Sequence, residues 1–163
     1  MRRYSPAWFL FTGGRLVLGA VFVYAAYTKL RESFLLFAMA IDAYQLLPQQ
    51  AVLFIAHVLP WFELALGIAL IAGLWPRITG SSATLLLGVF FTAMVHAYQP
   101  DAKEGQISCG CFGLGEPISA RTLARDGALL ALSISLTAVS FWLARKRVAA
   151  APVSAQPALA EKP

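Results

Sequence analysis

The sequence predicts an all-α integral membrane four-helix bundle, and two observations carry this prediction. Of the 163 residues, 59% are hydrophobic and only 13% are charged, about half the charged fraction of an ordinary soluble domain. The apolar residues also fall into four blocks, each close to the ~20 residues that an α-helix needs to cross a bilayer. Because these blocks lack the polar face of a helix on a soluble core, we expect one membrane domain over residues 1–147.

Each predicted span follows from a long run of apolar residues. We place the four spans at about residues 8–28, 51–75, 78–98 and 126–144. The first apolar block contains a single charge, Arg15, and the second contains a single charge, Glu63. The third block and residues 127–144 of the fourth contain none, as expected for segments in contact with lipid.

Two further segments lie outside the spans. The apolar run Phe34–Ile41 is too short to cross a bilayer, so we predict an interfacial or re-entrant helix there. The tail at 148–163 is rich in alanine and proline and contains no aromatic residue. It therefore has little to bury in a core, and we expect it to be disordered.

The placement of charge argues against nucleic-acid binding and indicates an orientation. The net charge is +5, but the basic residues flank the spans, as they do at membrane edges, and form no face for phosphates. An even number of spans puts both termini on one side of the membrane. That side carries six basic residues near the spans and the other side five. We therefore expect a multi-pass protein of a bacterial inner membrane with both termini in the cytoplasm.

The two charges inside the spans form one candidate site. A charge within the bilayer is costly and is usually paired, protonated or functional. At about 1.5 Å of rise per residue, Arg15 lies roughly 10 Å and Glu63 roughly 16 Å from the same membrane surface. Two long side chains can cover that difference, and we expect them to form a salt bridge that sets helix register. A proton or quinone site and a protonated glutamic acid are the alternatives. Pro60 removes one backbone hydrogen bond beside Glu63 and predicts a kink.

His57 and His96 are further candidates, because both fall near the span ends on the side of the cysteines. A histidine there could tune a thiol or carry protons; an interfacial histidine that only hydrogen-bonds is the simpler interpretation. Two histidines and two cysteines would also suit a soft metal ion. Their spacing matches no familiar metal motif, so we predict no metal site.

The most specific feature is the stretch Cys109-Gly110-Cys111-Phe112-Gly113, which contains the only two cysteines. A disulfide across one residue brings the two Cα atoms close to the limit of allowed geometry. Closing so short a ring removes little unfolded-state entropy, so such a bond is a poor structural link. A strained disulfide is oxidising and labile, which suits electron exchange. We expect a redox pair, with metal binding and two unreactive thiols as alternatives.

Several motifs along the chain carry a family resemblance. They are Arg15-Leu16-Val17-Leu18-Gly19, Lys29-Leu30, Ala43-Tyr44-Gln45-Leu46-Leu47-Pro48, Leu59-Pro60-Trp61-Phe62-Glu63, the cysteine stretch and Arg125-Asp126. Over about residues 13–140 the chain resembles the methylamine utilisation family MauE, within the DoxX-like group of four-span membrane proteins. The combination of the cysteine stretch with Leu-Pro-Trp-x-Glu is what makes the resemblance specific.

The resemblance implies a redox-associated membrane function. It marks Cys109 and Cys111 as the redox pair, and Arg15, Lys29 and Glu63 as family positions without an assigned role. It implies a periplasmic thioredoxin-like partner and support for the maturation of a disulfide-rich enzyme such as methylamine dehydrogenase. Quinone use is implied by other DoxX-like members. The alternative function is a non-catalytic assembly or scaffold subunit, with or without a bound metal, and whether the chain is an enzyme stays open.

Overall fold

The computed structural model describes residues 6–98 and 118–149, and the side-chain surroundings of residues 9–98 and 118–145. This part of the chain contains five α-helices and no strand. They are α1 (Pro6–Arg31), α2 (Phe34–Asp42), α3 (Gln49–Ala72), α4 (Pro76–Ala97) and α5 (Ala120–Ala149). All but α2 contain a segment long and apolar enough to cross a membrane. The predicted all-α, four-helix membrane fold is therefore confirmed.

The four long helices alternate in direction. Helices α1 and α3 are antiparallel, because Gly19 of α1 faces Ile71 of α3, whereas Lys29, later in α1, faces Glu63, earlier in α3. The same reversal relates α4 to α5, where Gly80 faces Thr137 and Thr84 hydrogen-bonds to Ser133. Two ends of the bundle follow. The α2 end holds the last turns of α1 and α4, the first turns of α3 and α5, and α2 itself. The basic end holds the opposite termini of the four long helices.

The contact between α1 and α3 depends on two glycines. A Cβ atom added to Gly67 would lie 2.9 Å from the carbonyl oxygen of Gly19 and 2.8 Å from Cγ2 of Val23. Small residues let helix backbones approach this closely, and membrane helices use them at their contacts. The apolar cluster beside this contact includes Leu18 and Leu70, which are both buried.

The outer surface of the bundle is apolar, as a lipid-facing surface should be. Leu10, Phe54 and Leu85 are among the large hydrophobic side chains that stand exposed on the long helices. A soluble monomer rarely exposes a continuous apolar patch of this kind. The exposed apolar side chains and the span lengths therefore agree that these helices lie in a membrane.

Local capping explains where the helices begin and end. Gly73 stops α3 in the left-handed conformation, at φ 75°, with the two backbone hydrogen bonds typical of a helix C-terminus. Pro76 then starts α4, a position that suits its fixed φ. Helix α5 begins at Ala120 rather than near residue 126, because Ser119 and Thr122 cap it reciprocally.

The short apolar run between the first two spans does form a helix. Phe37 and Ala38 of α2 are buried against Val52, Ala56 and Leu59 of α3. The position of α2 relative to a membrane stays a prediction. So does the disorder of the tail: α5 continues to Ala149, and residues 150–163 lie outside the described residues.

Candidate functional site

A buried ion pair joins α1 to α3. Lys29 Nζ lies 2.8 Å from Oε1 and 2.7 Å from Oε2 of Glu63, so both carboxylate oxygens accept a hydrogen bond from the ammonium group. The two side chains are only 1% and 3% exposed. Charge-assisted hydrogen bonds of this length are among the strong ones in proteins. Because both charges are buried away from water, removing either one would leave the other uncompensated and destabilise the fold.

Two aromatic rings complete the surroundings of the Lys29 ammonium group. Its Nζ lies 5.7 Å from the ring centroid of Phe37 on α2 and 5.7 Å from that of Phe90 on α4. Rings at this distance attract a cation through their negative faces. Helix α2 is therefore what buries Lys29, which would otherwise stand in the last turn of α1 at the membrane edge.

A second acidic side chain approaches the pair from α5. Asp126 is buried and its Oδ1 accepts a hydrogen bond of 3.0 Å from Nε of Arg125. Asp126 and Glu63 both line a small cavity of about 30 Å³, together with Phe90 and Phe91. A cavity of this size has room for a water molecule, which needs polar partners such as these carboxylates. The site thus brings together acidic groups from two helices.

A larger apolar pocket lies directly beside the pair, between α2, α3 and α4. Its volume is about 370 Å³, and Phe37 and Phe90 form part of its wall. The same two rings therefore face the Lys29 ammonium group and line the pocket. Tyr44 adds a phenol to a lining that is otherwise aliphatic and aromatic. Such a pocket suits a flat apolar ring or a hydrocarbon chain.

The predicted salt bridge between Arg15 and Glu63 is wrong, because Glu63 pairs with Lys29 instead. The guanidinium group of Arg15 lies against Gly73, where an added Cβ would be 2.7 Å from both Nη atoms. Gly73 is roughly 15 Å from Glu63 along α3, at about 1.5 Å per residue. Lys29 follows the predicted first span, so sequence alone places it at the membrane edge and not among the charges inside the apolar blocks.

The two histidines do not join this site. His57 is exposed on α3, with its ring edge-to-face with Phe34 of α2 at a centroid distance of 6.0 Å. His96 is exposed in the last turn of α4 and borders a surface depression beside Leu46. Within the described ranges, no three His, Cys, Asp or Glu side chains are close enough together to hold a metal ion.

Cys109 and Cys111 lie outside the described residues, so their role stays a prediction. The residues that flank their segment are described. Tyr98 follows the last turn of α4, and Ile118 packs on the fully buried Met94 just before α5 begins. Both flanking residues belong to the α2 end of the bundle, which also carries the Lys29–Glu63 pair.

Two members of this site were not predicted from sequence. One is Lys29, the ion-pair partner of Glu63, and the other is Asp126, which lines the same small cavity as Glu63. A signal for Lys29 was present, because an apolar helix directly after Arg31 can fold back and cover the end of α1. Asp126 carried a weaker signal. It falls after a Ser-x-x-Thr capping pattern at 119–122 that places it inside α5 rather than before it.

The fold and this site define an integral membrane protein: four apolar helices of spanning length surround a buried lysine–glutamate pair. The model of the family "Methylamine utilisation protein MauE" matches residues 7–143. The chain therefore belongs to the MauE family.

A curated relative agrees with this assignment. The chain is 32% identical over 124 residues to methylamine utilization protein MauE of Paracoccus denitrificans. The alignment covers 75% of this chain and 65% of that protein, slightly less than two thirds of its length. No solved structure matches the chain.

Proposed function

We propose that this chain serves methylamine utilisation as a thiol–disulfide redox protein of the bacterial inner membrane. In this proposal Cys109 and Cys111 exchange electrons with a periplasmic thioredoxin-like partner, and the exchange supports maturation of a disulfide-rich enzyme such as methylamine dehydrogenase. The observation that carries the proposal is the cysteine pair itself. A family member with only two cysteines places them one glycine apart, where a disulfide is strained and readily exchanged.

The exchange conserves electrons and protons. A partner thiolate attacks one sulfur of the Cys109–Cys111 disulfide, the other sulfur leaves as a thiolate, and a mixed disulfide joins the two proteins. A second partner thiolate then attacks the mixed disulfide and releases the pair as a dithiol. The partner's dithiol is oxidised to a disulfide, and the pair takes up two electrons and two protons.

Two cysteines cannot pass these electrons to a second internal pair, so the dithiol needs an external acceptor. We propose a quinone, a lipid-soluble acceptor of two electrons and two protons. The apolar pocket of about 370 Å³ supports this part of the proposal, since an apolar ring suits its walls. The pocket lies at the α2 end, as do Tyr98 and Ile118, which flank the cysteine segment.

The proposed orientation places the α2 end in the periplasm. The other end carries six basic residues near the spans and the α2 end carries five, and in bacterial membranes such residues favour the cytoplasm. Labelling with an impermeant thiol reagent on spheroplasts tests the orientation: after mild reduction Cys109 and Cys111 should react without opening the membrane.

Single variants test the function. In a host that lacks its own copy, we expect Cys109→Ser and Cys111→Ser each to abolish growth on methylamine, because a lone thiol cannot complete the exchange. Each variant should also accumulate a mixed disulfide with the partner protein, which dithiothreitol reduces. Ser108→Ala is the matched control, one residue away in the same segment. Full growth with both cysteine variants would contradict the redox function and leave the non-catalytic scaffold role.

A further inference from the structure

By sequence and helix direction, seven basic residues of the spans and their flanks belong to the basic end of the bundle. The basic residues assigned to this end by sequence and helix direction are Arg2, Arg3, Arg15, Arg77, Arg145, Lys146 and Arg147. Residues 1–31, 64–100 and 127–160 contain no aspartate or glutamate. The segments that build this end therefore supply cations and no anion to balance them.

Arg15 shows the consequence inside the bundle. Its Nε is buried and has no hydrogen-bond partner in the described part of the chain. Its guanidinium group lies against Gly73, at the turn between α3 and α4. The α3 C-terminus offers a partial negative charge there, which is less than a full counter-ion. A cation within a membrane domain is costly unless an anion or water reaches it, so an anion from outside the described residues would stabilise Arg15.

A groove of about 470 Å³ lies at the same end of the bundle, between α1, the start of α4 and the last turns of α5. Its lining includes Trp75, two residues after the Gly73 that the Arg15 guanidinium group contacts. It is lined by Phe11, Trp75, Pro76, Arg77, Ile78, Ser140, Leu143 and Ala144. Trp75 and Ile78 are 76% and 63% exposed, so the groove opens on the outer surface of the bundle. Phe11 stands one helical turn before Arg15 on the same face of α1.

The groove combines apolar walls with cations at its edge. Arg77 lines it and lies over the ring of Phe141, with its Cζ 5.9 Å from the centroid. Arg77 is itself exposed, so its guanidinium group stays accessible to a ligand. Phe11, Leu143 and Ile78 present hydrocarbon along the same groove. The ligand that fits this arrangement carries an anionic group on a hydrocarbon chain.

We propose that this groove binds an anionic phospholipid, with its phosphate at Arg77 and Arg15 and an acyl chain along the apolar walls. A soluble phosphate would use only the arginines, whereas the groove opens on helices that face lipid. Basic residues at a membrane surface attract anionic lipids, and Trp75 stands where interfacial aromatic residues are common. This binding is independent of the thiol exchange proposed above.

Lipid binding to the purified full-length chain in an uncharged detergent tests the proposal. Native mass spectrometry would compare phosphatidylglycerol with phosphatidylcholine of the same acyl chains, and glycerol 3-phosphate would serve as the soluble headgroup. At about 1 kcal/mol for each basic residue, two arginines predict roughly thirty-fold tighter binding of phosphatidylglycerol than of phosphatidylcholine. We expect Arg77→Gln to weaken phosphatidylglycerol binding about five-fold and Arg15→Gln to weaken it at least as much.

Arg121→Gln is the matched control, since Arg121 is exposed at the α2 end and should not change binding. Equal binding of the two lipids would overturn the proposal. So would glycerol 3-phosphate binding as tightly as the lipid, or an equal loss in the Arg121 variant. If Arg15→Gln fails to fold, the exposed Arg77 still decides the outcome, because the only contact described above that its substitution removes is the one with the ring of Phe141.

Discussion

Replacing Glu63 with glutamine removes the negative half of the buried pair, the charge to which the Lys29 ammonium group donates two hydrogen bonds. Both side chains are almost fully buried, at 1% and 3% exposure, and two hydrogen bonds of 2.7 and 2.8 Å join them. Breaking a buried pair from one side costs about 3–5 kcal/mol. We expect Glu63→Gln to cost about 3 kcal/mol, because the amide oxygen can still accept one hydrogen bond and both aromatic rings remain.

Replacing Lys29 with methionine should cost more, about 4–5 kcal/mol. The carboxylate of Glu63 then has no cation, and the contacts of the ammonium group with Phe37 and Phe90 are lost as well. The double variant Lys29→Met with Glu63→Leu removes both charges of the pair. Because apolar replacements of a whole buried pair are often neutral, it should be less destabilised than either single variant.

The assay is the free energy of unfolding in mixed micelles, followed by helix content as sodium dodecyl sulfate increases. Arg31→Gln is the control: Arg31 ends the same helix but is exposed, and its loss should cost less than about 1 kcal/mol. Additive effects of Lys29→Met and Glu63→Leu, each measured singly and then combined, would refute the reasoning, because an ion pair requires a coupling energy between its two members.

Three further predictions concern helix contacts and caps. Gly67→Ala should cost about 1–3 kcal/mol of unfolding free energy, because the new methyl group would meet Gly19 on α1; Gly88→Ala, where nothing lies within 4 Å, should be neutral or slightly stabilising in the same measurement. A double-mutant cycle of Arg15→Leu with Glu63→Gln should give a coupling energy below about 0.5 kcal/mol. A larger value would indicate a direct interaction between Arg15 and Glu63 and contradict the pairing of Glu63 with Lys29. Ser119→Ala should remove the cap of α5 and cost about 1 kcal/mol, with faster amide exchange confined to the first turn; unchanged exchange there would mean that the cap does not stabilise the helix.

The spans could be predicted from sequence because a bilayer sets the length and polarity of a crossing helix. Their boundaries could not be read from hydropathy alone, since capping decides them. Gly73 ends α3 before the apolar run ends, and Ser119 starts α5 well before the apolar run begins. Hydropathy measures the fit to lipid, whereas a cap depends on a few backbone hydrogen bonds.

The partner of Glu63 could not be predicted because depth along a single helix does not describe how another element covers it. Sequence alone favours Arg15 as the partner, because it is the only charge in the first apolar block. Lys29 is buried by side chains from three other helices, Phe37 of α2, Glu63 of α3 and Phe90 of α4. That arrangement depends on tertiary packing, so it cannot be predicted from the spacing of residues within α1. The chemistry of Cys109 and Cys111, by contrast, depends on residues outside the described part and still rests on their spacing.

The reduction potential of the cysteine pair tests the proposed function most directly. The purified chain would be equilibrated in detergent with a series of glutathione redox buffers, then alkylated, and its mass would give the fraction of disulfide. Structural disulfides lie below about −300 mV, and the strained ring across Gly110 predicts a potential clearly above that value. A pair that forms no intramolecular disulfide in any oxidising buffer, or one as resistant to reduction as a structural disulfide, would contradict the account.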